Sequence, residues 1–88
     1  MGKKIIGIVG GMGPEATADL FMKIIKATPA EKDQDHLRVI IDNNTNIPDR
    51  TKAILGQGVS PVTEIKSTVS KLMHAGADIL VMPCNTAH

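Results

Sequence analysis

The residue with the most reactive side chain in this 88-residue sequence is its single cysteine, Cys84. It follows an apolar run and precedes the small polar residues Asn85 and Thr86, with His88 close behind. A cysteine at the end of a buried strand, before backbone N–H groups that could open a helix, is stabilised as a thiolate, which acts as a nucleophile or a base. The alternative is a structural cysteine, because cysteine is among the most buried residue types. The polar neighbours favour the reactive interpretation and suggest a pocket for an anion such as a carboxylate.

A second segment that could bind a ligand is the glycine-rich loop GGMGP at residues 10–14. Such a loop lets the backbone approach a ligand closely and presents the start of the following helix to an anion. We therefore count Met12 and Gly13 as candidate substrate-binding residues. The alternative is a tight strand-to-helix turn with no other role.

The same loop also permits a different function, a dinucleotide- or flavin-binding module. Residues 11–16 fit the relaxed pattern G-x-G-x-x-A, and Asp42 lies where a ribose-binding acid would end the next strand. The match is weak, because Pro14 removes an N–H from the phosphate-facing turn and Asp42 lies farther along the chain than the usual roughly 20 residues. This interpretation also leaves Cys84 without a role.

A third polar segment, at residues 42–50, contains several asparagines and one arginine. The guanidinium of Arg50 could bind a carboxylate through two parallel hydrogen bonds, so an acidic substrate is a natural hypothesis. The alternative is a solvated surface arginine. We count Asn44 and Arg50 as candidate substrate-binding residues, and interpret His36 and His74 as ordinary surface or loop histidines.

Composition excludes several classes of function. A net charge of +1 and a single aromatic residue disfavour a nucleic-acid or membrane-surface partner. One cysteine excludes an internal disulfide framework and a cysteine-rich zinc site, so we expect no metal and a reducing compartment. Because no apolar run approaches the roughly 20 residues that span a bilayer, the prediction is a cytoplasmic protein.

The elements that must position these segments follow from hydrophobic periodicity and from the proline and glycine positions. The connection at residues 47–60 carries conflicting signals and is predicted to be mobile, with a short helix possible at residues 50–55. Buried strands are predicted at residues 4–9, 37–41 and 78–82, and helices at residues 14–27 and from Pro61 to a closing Gly76.

The β-α-β-α-β order predicts an α/β fold of three layers, with helices on both faces of a parallel sheet, as in half of a doubly wound, flavodoxin-like domain. Ligands in such sheets lie beyond the carboxyl ends of the strands, so the three polar segments should converge on one site. A three-stranded sheet with two unpaired edge strands is unlike a complete, stable domain. We therefore expect residues 1–88 to be a single incomplete domain, or one that needs a partner chain.

Three ordered motifs, GGMGPEAT at residues 10–17, DNNTNIPDRT at residues 42–51 and PCNTAH at residues 83–88, resemble the aspartate/glutamate racemase family, and most closely its aspartate racemase branch. The resemblance implies a racemase that needs no cofactor such as pyridoxal phosphate. It also implies two similar α/β domains per subunit with the site between them, commonly in a homodimer.

Family members use two cysteines, one from each domain, on opposite faces of the substrate α-carbon. By this resemblance Cys84 is the first catalytic cysteine. Asn85 and Thr86, with the Met12 loop, would hold the α-carboxylate and amino group, and Arg50 would bind the side-chain carboxylate of aspartate or a related amino acid. These 88 residues contain one cysteine and have the length of one such domain, so we expect the amino-terminal half of a racemase, with the second cysteine and domain missing, and a poorly active isolated chain.

Overall fold

The computed structural model of the protein describes residues 3–48 and 60–83. Cys84, Asn85, Thr86 and His88 lie outside these ranges, as do Arg50 and most of the predicted connection at residues 47–60. The described elements are strand β1 (Ile5–Gly10), helix α1 (Pro14–Ala27), a 3-10 turn (Asp33–Asp35), strand β2 (Arg38–Asn43), helix α2 (Val62–His74) and strand β3 (Ile79–Val81).

The three strands form one parallel sheet in the order β2-β1-β3, which confirms the predicted parallel α/β fold. Ile8 in the central strand lies beside Ile41 on one side and Val81 on the other. Because β1 is central, the chain passes to one side of it to form β2 and then crosses to the other side to form β3. The direction of winding therefore reverses between β1 and β3.

Two glycines of β1 show that the helices cover opposite faces of the sheet. A Cβ atom added at Gly7 would meet Leu72 of α2 at 3.4 Å, and one added at Gly10 would meet Thr17 of α1 at 2.5 Å. Residues an odd number of positions apart in a strand point to opposite faces. The sheet is thus the middle of three layers. At Gly10 the side chain of Thr17 leaves no room for a Cβ atom, whereas at Gly7 the tightest contacts come from Ala77 at 2.8 Å and Leu80 at 3.0 Å.

Three of the helix boundaries follow from local chemistry. Pro14 occupies the first turn of α1, where its fixed φ and missing N–H cost nothing, and Thr28 ends that helix by donating its hydroxyl to the Ile24 carbonyl at 2.6 Å. At the end of α2, Gly76 has a φ of +103°, and the N–H groups of Gly76 and Ala77 bond back to Met73 and Leu72. This is a Schellman motif, and it confirms the predicted closure at Gly76.

The prediction that all three strands are buried is wrong for β2 and β3. Ile8 and Val9 of β1 are buried, whereas Ile41 of β2 and Ile79 of β3 expose 37% and 46% of their surface. Among the described strands, only β1 has a strand on each side and a helix against each face. Burial of a strand depends on what packs against it, and an apolar run in the sequence does not reveal that.

Strand β2 also continues further than predicted. Asp42 and Asn43, which were expected to belong to a turn, pair in register with Val9 and Gly10. The turn starts at Asn44, two residues later than predicted. Within residues 3–48 and 60–83, neither helix has the length and apolar character needed to cross a membrane.

Candidate functional site

The carboxyl ends of β1 and β2 meet at one edge of the sheet, as the sequence predicts. The N–H of Asn44, just after β2, donates to the Gly10 carbonyl at the end of β1 over 3.1 Å. Because β3 runs parallel to β1, Met82 and Pro83 leave the sheet at the same edge as the loops after β1 and β2. The third predicted segment, which begins at Cys84, lies outside the described residues, so its convergence with the other two stays a prediction.

Gly11 is the residue that lets the glycine loop lie against the end of β2. Its φ is +105°, and a Cβ atom at this position would lie 2.1 Å from the backbone oxygen of Asn44. No side chain fits there, and a non-glycine residue is strained at this φ. The predicted close approach of the loop backbone is therefore observed, although what it approaches is the neighbouring loop of the same chain.

Thr17, in the first turns of α1, fixes the glycine loop from the other side. It is buried, its hydroxyl accepts the N–H of Gly11 at 3.1 Å, and the same hydroxyl donates to the Gly13 carbonyl at 3.0 Å. Sequence reasoning missed this residue. The available signal was a polar residue at a core-facing position of an apolar helix, one residue after the buried Ala16.

Gly13 and Met12 border the open part of the loop. Gly13 is the N-cap residue of α1, and no side chain caps that helix start in the part of the chain that the structure describes. A Cβ atom on Gly13 would meet nothing within 4 Å. Because the first N–H groups of a helix lack intrahelical partners and carry partial positive charge, this open start of α1 is suited to an anion.

Asn44, a predicted substrate ligand, has its side chain bound within the protein. Its Nδ2 donates to Glu64 Oε1 at 3.0 Å and to Thr68 Oγ1 at 2.9 Å, while its Oδ1 accepts the N–H of Asn46 at 2.9 Å. Both amide hydrogens are used, so a substrate could reach only the remaining acceptor site on Oδ1. A substrate contact by Asn44 stays a prediction.

Glu64 and Thr68 of α2 were not recognised from the sequence as site residues. They lie four positions apart and therefore share one face of the helix. Thr68 is fully buried beside Leu72, which occupies the next turn of the same face. A threonine at a core position of an amphipathic helix was the signal that could have identified this contact.

His74 lies away from the carboxyl ends of the strands. His74 ends α2, at the opposite end from Glu64, and its Nδ1 lies 2.7 Å from the Ser70 carbonyl. Within the described ranges, no three histidine, cysteine, aspartate or glutamate side chains are grouped as a metal site would require.

The strand order bears on the alternative function. In the dinucleotide-binding fold β3 lies beside β2, whereas here β3 pairs with β1. The observed order β2-β1-β3 is instead that of the flavodoxin-like class, in which ligands bind where the winding reverses. Asp42 is the penultimate residue of β2, where it pairs with Val9. The topology therefore disfavours the dinucleotide interpretation.

The fold and the two loops define an α/β domain with an uncapped helix start beside the carboxyl end of β1, and comparison with known proteins identifies its family. A family model described as Asp/Glu/Hydantoin racemase matches residues 9–88, so the chain belongs to this family. This confirms the resemblance expected from the three motifs.

Two relatives show how far the similarity extends. The structure of Picrophilus torridus aspartate racemase is 46% identical and superposes with a TM-score of 0.85, covering 97% of this chain and 37% of that one. The broad specificity amino-acid racemase RacX of Bacillus subtilis strain 168 is 31% identical over an alignment of 97 positions, covering 96% of this chain and 38% of RacX. The chain thus spans less than two fifths of the length of either relative.

Proposed function

We propose that this chain forms one half of the active site of a cofactor-independent amino-acid racemase whose substrate is aspartate. The observation that carries the proposal is the family match over residues 9–88, which includes the glycine loop, the Asn44 turn and Cys84. The geometry supports it, because the open start of α1 offers uncapped N–H groups at the end of the sheet where Cys84 follows β3 in sequence. A carboxylate is the ligand that such a helix start favours.

In this mechanism the Cys84 thiolate removes the α-proton of one aspartate enantiomer. The C–H bond breaks, an S–H bond forms, and the electron pair stays on the α-carbon. Hydrogen-bond donors at the substrate carboxylate stabilise the negative charge that develops there. We assign this task to the start of α1 with Met12 and Gly13, and to Asn85 and Thr86.

Inversion requires a second acid on the opposite face of the α-carbon, within hydrogen-bond reach. The chain contains one cysteine, so we propose that this acid comes from another polypeptide segment or another subunit. We propose that the active form is a homodimer and that the second acid belongs to a part of the protein corresponding to the remaining length of the relatives. This chain alone should therefore remove and return a proton on one face only.

The experiment that tests the proposal is proton NMR of L-aspartate and D-aspartate, incubated separately with this chain in D2O. We expect the α-proton signal of one enantiomer to disappear without formation of the other, because the thiol exchanges its proton for solvent deuterium and returns deuterium to the same face. Full inversion would show that a second acid is present in the preparation. Absence of exchange and of aspartate binding would contradict the proposal, and saturable FMN binding would favour the flavin alternative.

Gly13→Ala provides a test of the carboxylate site that does not depend on stability. Gly13 has extended backbone angles, with φ −107° and ψ −178°, and open space where the methyl group would lie. Alanine therefore fits the fold but occupies the position offered to the ligand. We expect the apparent affinity for aspartate, measured from the concentration dependence of α-proton exchange, to fall at least about 10-fold, the equivalent of one charge-assisted hydrogen bond of roughly 1.5 kcal/mol.

Unchanged affinity in a folded Gly13→Ala chain would show that the substrate does not approach the start of α1. Circular dichroism of the variant provides the check on folding.

Arg50→Gln tests the proposed recognition of the side-chain carboxylate. Loss of a bidentate charge-assisted contact should weaken aspartate binding about 10- to 100-fold while leaving alanine, which lacks that carboxylate, unaffected. The matched control is Arg38→Gln, since Arg38 is an exposed arginine at the start of β2, at the opposite edge of the sheet. Equal loss of affinity for both amino acids, or for both variants, would contradict the assignment of Arg50.

A further inference from the structure

Three polar side chains beneath the strand ends form a connected cluster that the proposed mechanism does not use. This Asn44 cluster consists of Asn44, Glu64 and Thr68, joined by the two hydrogen bonds from Asn44 Nδ2. Thr68 is fully buried and Glu64 is half-buried. Burying a polar group costs free energy unless it is hydrogen-bonded, so these contacts hold Asn44 in one position.

The position of Asn44 determines in turn where the glycine loop lies. Its backbone N–H binds the Gly10 carbonyl, and the Cα of Gly11 packs directly over its backbone. On the opposite face of the sheet, Thr17 bonds to Gly11 and Gly13. The glycine loop is therefore held on one side by Thr17 of α1. On the other side it is held by Asn44, whose own side chain is hydrogen-bonded to α2.

We infer that Glu64 and Thr68 are positioning residues that act through Asn44 on the glycine loop, and so on the site where a ligand anion binds. Asn44 then serves the site by connecting two loops and need not touch the substrate. The consequence for aspartate rests on the proposed function, whereas the coupling between Thr68 and the loop does not.

The decisive variant is Thr68→Val, which keeps the shape of the side chain and removes the hydroxyl that accepts from Asn44. Thr68→Ser is the conservative variant, because it restores the hydroxyl. Thr63→Val is the matched control, since Thr63 is an exposed threonine on the same helix. We would record the amide NMR signals of Gly11 and Gly13 in each folded variant, together with the concentration dependence of α-proton exchange.

We expect Thr68→Val to shift both glycine signals and to raise the aspartate concentration needed for half-maximal exchange about 10-fold, with little change in the maximal rate. Thr68→Ser should return both readouts to those of the original chain, and Thr63→Val should change neither. A purely structural role would lower the unfolding temperature without moving the glycine signals. Unshifted glycine signals in folded Thr68→Val would therefore overturn the inference.

A second pair of variants covers the case in which Thr68→Val does not fold. Glu64 is half-buried, so Glu64→Ala should be better tolerated, and Glu64→Gln retains an oxygen that accepts from Asn44. We expect glycine shifts in Glu64→Ala and their reversal in Glu64→Gln, and identical glycine signals in the two variants would overturn the inference. If the original chain shows no response to aspartate, the proposed function fails while the glycine signals still decide this inference.

Discussion

Replacing Cys84 with alanine should abolish α-proton exchange of aspartate in D2O. General acid–base catalysis by a positioned side chain contributes about 100- to 10,000-fold, and Cys84 is the only thiol in the sequence. We therefore expect exchange in Cys84→Ala to fall at least about 100-fold, to the level of a protein-free control. The measurement is the α-proton signal of the enantiomer that the original chain exchanges, followed under identical conditions.

Aspartate binding should survive this substitution, because the proposed carboxylate donors do not include the sulfur atom. Calorimetric titration of aspartate into Cys84→Ala would separate loss of the base from loss of the site. A Cys84→Ser variant sharpens the comparison, since its hydroxyl keeps the size of the group but is a far weaker acid than a thiol and so is not ionised near neutral pH. It should also lack exchange.

Exchange that persists in Cys84→Ala would show that another group is the base. His88 is the nearest titratable residue in sequence, and a His88→Ala variant that then loses exchange would transfer the assignment to it. Such a result would leave the carboxylate site intact and contradict only the role of the cysteine.

The elements of this fold could be predicted from the sequence because their signals are local. The bounds of α1 follow from Pro14 at its start and from Thr28 and Pro29 at its end, and the observed helix Pro14–Ala27 is the predicted one. The closure of α2 follows from Gly76 for the same reason. Exposure of β2 and β3 could not be predicted, since an apolar run has the same appearance whether or not a neighbouring layer covers it.

The candidate site likewise has one part that could be predicted from the sequence and one part that could not. The meeting of the loops after β1 and β2 follows from parallel topology, and the hydrogen bond between Asn44 and Gly10 confirms it. The partners of the Asn44 side chain could not be predicted, because they depend on how α2 is rotated and shifted against the sheet. That placement is set by the packing of Leu72 and its neighbours across the whole layer.

Replacing Gly11 with alanine should destabilise the fold more than any other change to the glycine loop. The φ of +105° costs a non-glycine residue about 1–3 kcal/mol, and the new methyl group would lie 2.1 Å from the backbone oxygen of Asn44. Relief of that overlap requires the two loops to separate, which breaks the hydrogen bond from Asn44 to Gly10 and weakens the one from Gly11 to Thr17, each worth about 1 kcal/mol.

These contributions lead us to expect that Gly11→Ala lowers the free energy of unfolding by about 3 kcal/mol or more. This is a large part of the roughly 5–15 kcal/mol by which a typical domain is stable. For a domain of this size the unfolding temperature should fall by about 15 °C, measured by circular dichroism. Gly13→Ala is the matched control two residues away, because its backbone is extended and its methyl group meets no atom within 4 Å. It should change the unfolding temperature by no more than about 3 °C, since the small N-cap preference for glycine over alanine opposes the entropic gain from removing a glycine.

Equal stability of Gly11→Ala and Gly13→Ala would contradict the close packing of the glycine loop against Asn44. The coupling proposed for the Asn44 cluster would then fail as well, because that packing is the step by which Asn44 reaches the loop. A large loss in Gly11→Ala alone would show that the loop has one conformation fixed by its neighbour. In that case the open space at Gly13 is a rigid feature of the domain, available to a ligand without rearrangement of the loop.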